Sequence, residues 1–174
     1  NCSRILGRDF NSSFISLYLQ QDLINFHFIT NRYHYFHNIG LLNIFASGVG
    51  ARMGILAQVA AAMTDHGINI RSVVTSQTCI SLLLARDDLD AGRQALMSLK
   101  PRPFRRIEKV ADTALISIVG EGLSRKKGIA ARCFSAVAAC SVNVNMIAFG
   151  PSRAALYFLV REKSLQRAVI AIHS

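Results

Sequence analysis

Residues 48–76 read GVGARMGILAQVAAAMTDHGINIRSVVTS, and the fold turns on how this stretch divides. A glycine-broken loop opens it. Ile55, Leu56, Val59 and Met63 then recur at helical spacing, with Gly67 as a stop signal. The β-branched run that follows predicts a strand. Strand–loop–helix units with glycine at the turn hold phosphates, dinucleotides or free amino acids, so the loop's own chemistry must decide. GVGARMG lacks the Gly-x-x-x-x-Gly-Lys-Ser/Thr ending of a phosphate loop, and so does GEGLSRKKG further on. The dinucleotide spacing Gly-x-Gly-x-x-Gly is missed too, because the glycine after Gly48 and Gly50 is Gly54. No acidic residue follows about twenty positions on to meet a ribose. What remains is a small anion or zwitterion, held by the unpaired N–H groups and partial positive charge of a helix start. Glycines that only make tight turns are the alternative at this point. Asn69–Arg71, opening the next strand, are expected near that helix end, where Asn69 would grip an amide, amine or carboxylate.

The chain repeats itself. Shifted by 74 positions, Gly54-Ile55 falls on Gly128-Ile129, Leu41 on Leu115, Ile44 on Ile118, and Gly48 on Gly122. Ala57 meets Ala131, Ala62 meets Ala136, and Asn69 meets Asn143. Further on, Leu82 meets Leu156 and Arg93 meets Arg167, so the expected registration runs without a gap from Leu41 to Leu99. Each copy predicts the same elements. LLNIFAS and ALISIVG are strands leading into loops. GILAQVAAAMTDHG and GIAARCFSAVAACS are helices, the second carrying Ile129, Cys133, Phe134 and Val137. INIRSVVTS with CISLLLA, and VNVNMIAFG with AALYFLV, predict hairpins. DLDAGRQALMSL and EKSLQRAVIAIH predict closing helices, the first with Leu89, Arg93 and Leu96 at helical spacing and Asp87 or Asp88 at its start. RRIEKV is a candidate final strand for the first copy.

The order β-α-β-β-α-β predicts an α+β chain of two ferredoxin-like modules, antiparallel sheets with helices on one face. The expected division is a leader over 1–40, a first module over 41–110 and a second over 111–174, joined by KPRPFRRIEKVADTA. The leader, with its NFHFITNRYHYFHNIG, shows no copy of the repeat. It is expected to supply an edge strand around Phe26–Thr30 or to be a poorly ordered or foreign segment.

Composition excludes several classes. At 174 residues, 51% hydrophobic and 17% charged, the chain is long and apolar enough for real cores and unlike a disordered protein. No apolar run reaches the ~18 residues of a membrane helix, and polar residues interrupt the start as they would not in a signal peptide. A cytoplasmic protein with no membrane partner is expected. The net charge of +10 makes an anionic partner worth weighing. Its local groups, KPRPFRR and Arg125-Lys126-Lys127, lack the interleaved aromatics of an RNA-binding platform, and solvated segments are the simpler reading. Cys2, Cys79, Cys133 and Cys140 form no Cys-x-x-Cys pair. His34-x-x-His37 has no neighbouring carboxylate or thiol, so no metal site is expected. No catalytic residues can be assembled.

The residues from ALISIVGEG to the closing IHS carry VG-x-G-L, GI-x-A-x-x-F-x-A, N-V-x-M-I and a G-x-S turn. This pattern resembles the C-terminal regulatory end of aspartate kinases, and LLNIFAS to RDDL is similar to the first of their two ACT modules. The resemblance covers Leu41–Ser174. It implies tandem ACT modules that dimerise and bind an end-product amino acid, lysine or threonine, to switch off an attached kinase domain. That domain phosphorylates the aspartate side-chain carboxylate on the route to lysine, threonine and methionine. ATP and Mg belong to it, and no cofactor is implied for these residues. The family's effector positions fall on Val49, Arg52, Ile55, Leu56, Asn69, Ile70, Arg71, Thr75, Ser76 and Gln77, with Asn143, Val144 and Asn145 as second-module counterparts. Two departures matter. Lysine-sensing members carry acidic residues where Arg71 and Gln77 stand, so a cationic side chain has less to pair with here. The Lys-x-Gly-Gly start of a kinase domain is absent from the sequence, which implies a chain inactive alone: a fragment, a regulatory subunit or a broken-gene product. The rival readings are a stand-alone ACT amino-acid sensor acting on another protein, and a basic nucleic-acid-binding protein.

Overall fold

The computed structural model describes residues 32–46, 49, 53–120, 123, 127–149 and 155–173. The expected strand at Phe26–Thr30 lies outside them. The elements run β1 (Arg32–Phe45), α1 (Ile55–Asp65), β2 (Ser72–Thr75), β3 (Cys79–Ala85), α2 (Leu89–Met97), β4 (Arg106–Val119), α3 (Ile129–Ala139), β5 (Val144–Phe149), β6 (Ala155–Val160) and α4 (Leu165–His173). A 3-10 turn precedes α2 (Arg86–Asp88), and another precedes α4 (Glu162–Ser164). All strand pairs are antiparallel, and they join in one curled sheet of order β2-β3-β1-β4-β6-β5.

Two long strands carry this sheet. β1 and β4 are 14 residues each and pair from Arg32↔Val119 to Phe45↔Arg106. The C-terminal half of β1 pairs with β3, while its start, residues 32–36, pairs among the described residues only with Leu115–Val119 of β4. Each half of the sheet therefore has the ferredoxin order. The first half closes with Arg106–Val110 from its own run, as RRIEKV suggested, whereas the second takes residues 32–36 from outside its own run. The first strand thus begins at Arg32, not at Leu41, and RRIEKV and ALISIVG are one continuous strand. The repeat reaches nine residues further back than the sequence suggested, since β1 and β4 start and end 74 positions apart. A bulge breaks the register between Phe36 and Leu41. Asn38 takes a left-handed φ of 56° there, which asparagine tolerates.

The gapless registration fails at the hairpin turn, before the second hairpin strand begins. α1 and α3 are offset by 74, but α2 and α4 by 76. Ile44 pairs with Ile80 and its counterpart Ile118 pairs with Leu156, so Leu156 stands where Ile80 does, not Leu82. Arg93 and Arg167 are accordingly not equivalents. The cause is turn length: three residues (76–78) join β2 to β3, and five (150–154) join β5 to β6.

Strand alternation sorts the side chains. Leu42, Ile44, Ile80, Leu82 and Leu84 face α1 and α2, where they meet Val59, Met63, Leu89 and Leu96. Ile116, Ile118, Leu156, Phe158 and Val160 do the same under α3 and α4, with Cys133, Val137 and Leu165. Phe134 packs edge-on to Phe158, centroids 5.5 Å apart at 72°. Burial of Cys133 pushes its thiol up to about 11. On the opposite face Ile39, Leu41, Leu83 and Leu159 form a third cluster across both halves. At the seam between halves, Arg86 Nη2 donates to Glu162 Oε2 at 2.7 Å, and Asn38 Nδ2 donates to Asp87 at 3.0 Å. Asp87 thus ties strand to turn, and Asp88, at the start of α2, makes no side-chain capping bond.

Candidate functional site

The helix starts are built alike. Gly54 has φ 84° and ψ −4°, and Gly128 has φ 84° and ψ 1°. Only glycine holds this left-handed conformation without strain. Neither position has a side-chain cap. The first helical bonds run from Gln58 N–H to Gly54 C=O (3.0 Å) and from Arg132 N–H to Gly128 C=O (2.9 Å). The N–H groups of Ile55, Leu56 and Ala57 thus have no acceptor within the helix, and the positive end of the helix dipole lies there. Ile55 is buried and anchors the helix to the core, whereas Leu56 is 43% exposed.

The turn between β2 and β3 meets this loop. Val49 N–H donates to Gln77 C=O and Ala46 N–H to Thr78 C=O, both at 3.0 Å. Ser76 closes the turn: its N–H donates to Cys79 C=O at 2.8 Å, and its hydroxyl accepts from Cys79 N–H at 3.1 Å. Thr75, Ser76 and Gln77 are exposed around a loop that Val49 pins to the core. Arg52 lies outside the described residues.

Asn69, Ile70 and Arg71 sit elsewhere. They follow the C-terminus of α1, and Arg71 N–H donates to Leu83 C=O at 2.8 Å. Four residues of extended chain, about 13 Å, separate Arg71 from Thr75. The expectation that Asn69–Arg71 lie by the helix N-terminus therefore fails. A helix and the strand that follows it run in opposite directions, so the strand starts where the helix ends. Asn69 and Arg71 are exposed, and Ile70 packs against the first-half core. In the second half Asn143 Nδ2 donates to Asn145 Oδ1 at 3.3 Å, and Val144 packs on the core.

Sequence reasoning missed two residues at the sheet edges. Val73 on β2 and Ile147 on β5 occupy equivalent sites and are 40% and 49% exposed. Their signal was present in the repeat as matched apolar residues, but alternation does not tell an edge strand from a central one. Among the described residues no three His, Cys, Asp or Glu side chains gather as a metal set, and no helix is long and apolar enough to cross a membrane.

A left-handed glycine and an open helix start recur in both halves of the ferredoxin-like frame, and in the first half a hairpin turn is clipped beside them; the chain contains an ACT domain, matched over residues 116–174. Its relatives are aspartate kinases. It is 29% identical over 143 residues to the bifunctional aspartokinase/homoserine dehydrogenase of Haemophilus influenzae, covering 78% of this chain and 18% of that protein. It is likewise 29% identical over 142 residues to the chloroplastic aspartokinase 1 of Arabidopsis thaliana, covering 78% and 25%. The chain thus spans a quarter or less of these relatives' length. In fold it matches the ligand-free regulatory subunit of aspartate kinase from Thermus thermophilus, with a TM-score of 0.75 at 21% identity, over 83% of this chain and 96% of that one. It also matches aspartokinase III of E. coli in complex with lysine and aspartate, with a TM-score of 0.67 at 25% identity, over 83% and 32%.

Proposed function

We propose that this chain is the regulatory, amino-acid-sensing part of an aspartate kinase of the lysine, threonine and methionine pathway. The observation that carries the reading is the bond from Val49 N–H to Gln77 C=O, which holds the start of α1 and the Ser76 turn together at the edge of the sheet. An effector carboxylate is suited to the open N–H groups of Ile55–Ala57, and its ammonium to the oxygens of Thr75, Ser76 and Gln77. Phosphoryl transfer from ATP with Mg is, in this reading, the work of a kinase domain, and the residues described here bind and signal.

The two ends of β2 need not act within one copy. β2 is an edge strand, and Val73 is exposed on it. Antiparallel pairing of two such edges sets the start of one β2 beside the end of the other. Asn69–Arg71 of one copy then approach Thr75–Gln77 of its neighbour, which completes the effector site across a homodimer and covers Val73. Threonine fits this site better than lysine, because Arg71 repels a cationic side chain and Gln77 offers it no charge. Effector binding shifts the arrangement of the two copies by as much as it prefers one arrangement over the other.

Calorimetric titration with threonine, lysine and methionine tests this, alongside the mass of the chain in solution. Saturable heat with threonine from a dimer is expected. The double variant Arg71→Asp, Gln77→Glu is expected to lose preference for threonine and gain lysine binding. A folded chain that gives no heat with any of the three refutes the sensing role.

A further inference from the structure

The segment from Lys100 to Lys109 has no part in the effector site. It carries Lys100, Arg102, Arg105, Arg106 and Lys109 against one acid, Glu108. Two of the five cations are matched. Arg106 pairs with Glu108 at 2.9 Å and lies 4.3 Å over the Phe45 ring, and Lys109 pairs with Asp90 at 2.6 Å. Lys100, Arg102 and Arg105 are exposed and have no acidic partner among the described residues; Arg102 donates only to Met97 C=O, at 2.9 Å. The backbone that presents them is fixed. Phe104 is buried in the first-half core, Pro101 and Pro103 restrict the chain on either side of Arg102, and Arg105 N–H donates to Phe45 C=O at 2.7 Å. A solvated linker needs neither a buried anchor nor held cations.

We infer that Lys100, Arg102 and Arg105 form a docking surface for an acidic protein segment. Three unmatched cations on a preorganised bend favour carboxylates, since little side-chain and loop ordering is left to occur on binding. Nucleic acid fits less well: of the two rings described beside this segment, Phe104 is buried and Phe45 lies under the Arg106 guanidinium, so neither is open for a base to stack on. Phe45 also ends β1 and leads into the loop to α1, so a partner docked here touches the strand end that opens into the effector site.

The test uses the whole chain and a fluorescein-labelled poly-L-glutamate probe at low and physiological salt, with labelled oligo-dT in parallel. The variant Lys100→Gln, Arg102→Gln, Arg105→Gln is compared with Arg161→Gln, Lys163→Gln, Arg167→Gln, which removes the same charge from exposed sites in the second half. Circular dichroism melts confirm that both variants fold. A tenfold or greater loss of polyglutamate affinity in the first variant, against less than threefold in the second, is expected. Equal losses mean that net charge alone binds the probe and overturn the assignment. So do tighter binding of oligo-dT than of polyglutamate, and absence of polyglutamate binding at low salt.

Discussion

Replacing Gly40 with alanine tests the seam where β1 passes from one half of the sheet to the other. An alanine Cβ there would collide with Leu89 Cδ1 and lie 3.0 Å from Val110 O and 3.1 Å from Leu89 Cγ. Leu89 is buried at the start of α2 and has little room to turn aside. Overpacking of this kind costs about 1–3 kcal/mol, reduced by the roughly 0.5–1 kcal/mol that alanine gains over glycine inside a strand. Leu89→Ala alone removes both crowded atoms and costs about 2–5 kcal/mol. In the double variant the new methyl group enters the space that Leu89 leaves. Its loss of stability is expected to fall short of the summed single losses by at least ~1 kcal/mol, well beyond the ~0.5 kcal/mol scatter of independent sites. Urea unfolding of the wild type, both single variants and the double variant gives all four values at one temperature. Additive losses would show that Gly40 and Leu89 do not compete for space, and the packing at the seam would have to be redrawn.

Gly54→Ala and Gly128→Ala meet no atom within 4 Å, so each reports backbone strain alone. Each is expected to lose about 1–2 kcal/mol, the two losses matching within error in thermal melts. The Cys133 thiol, held neutral up to about 11, gives a pH signature. An unfolded thiol ionises above ~8.5, so the unfolded state binds fewer protons from there upward and stability falls with rising pH, by up to ~1.4 kcal/mol per unit. Cys133→Ala should flatten that slope between pH 9 and 11 in paired urea titrations, and parallel slopes would deny the shift. The Arg86–Glu162 pair is part-exposed, 32% and 37% at the side chains. A double-mutant cycle with methionine and glutamine is therefore expected to yield only about 0.2–1 kcal/mol of coupling.

Much of this architecture was legible in the sequence. Helical spacing located α1 and α3, with Gly54 and Gly128 marking where each begins, and the hairpin strand read from CISLLLA at 79–85 matched β3 residue for residue. What failed had physical causes. Loop length carries no hydrophobic signal, so two added residues in the second hairpin turn slid Arg93 onto Arg167 unnoticed. Periodicity shows that a residue lies on a helix but not which side meets a sheet, so the spacing that groups Leu56 with Ile55, Val59 and Met63 does not reveal that Leu56 is exposed. Strand exchange is invisible because pairing partners far apart in sequence leave no local trace. For the same reason Asn69–Arg71 were set beside the wrong end of α1: residues adjacent after a turn lie far from where the helix began. The contact of Val49 with the Ser76–Gln77 turn depends on a hairpin turn folding back to its neighbouring strand, which local sequence does encode.

The crossing of β1 and β4 between halves means that damage to this protein need not appear where it is made. Cutting the chain just before Leu41 spares every residue assigned by sequence to either copy. Yet it strips the flanking strand from β4 in the half built almost wholly from residues beyond 112, leaving Leu115–Val119 with backbone groups bare on one side. Parting the halves by one break after residue 112 likewise leaves the second without residues 32–36.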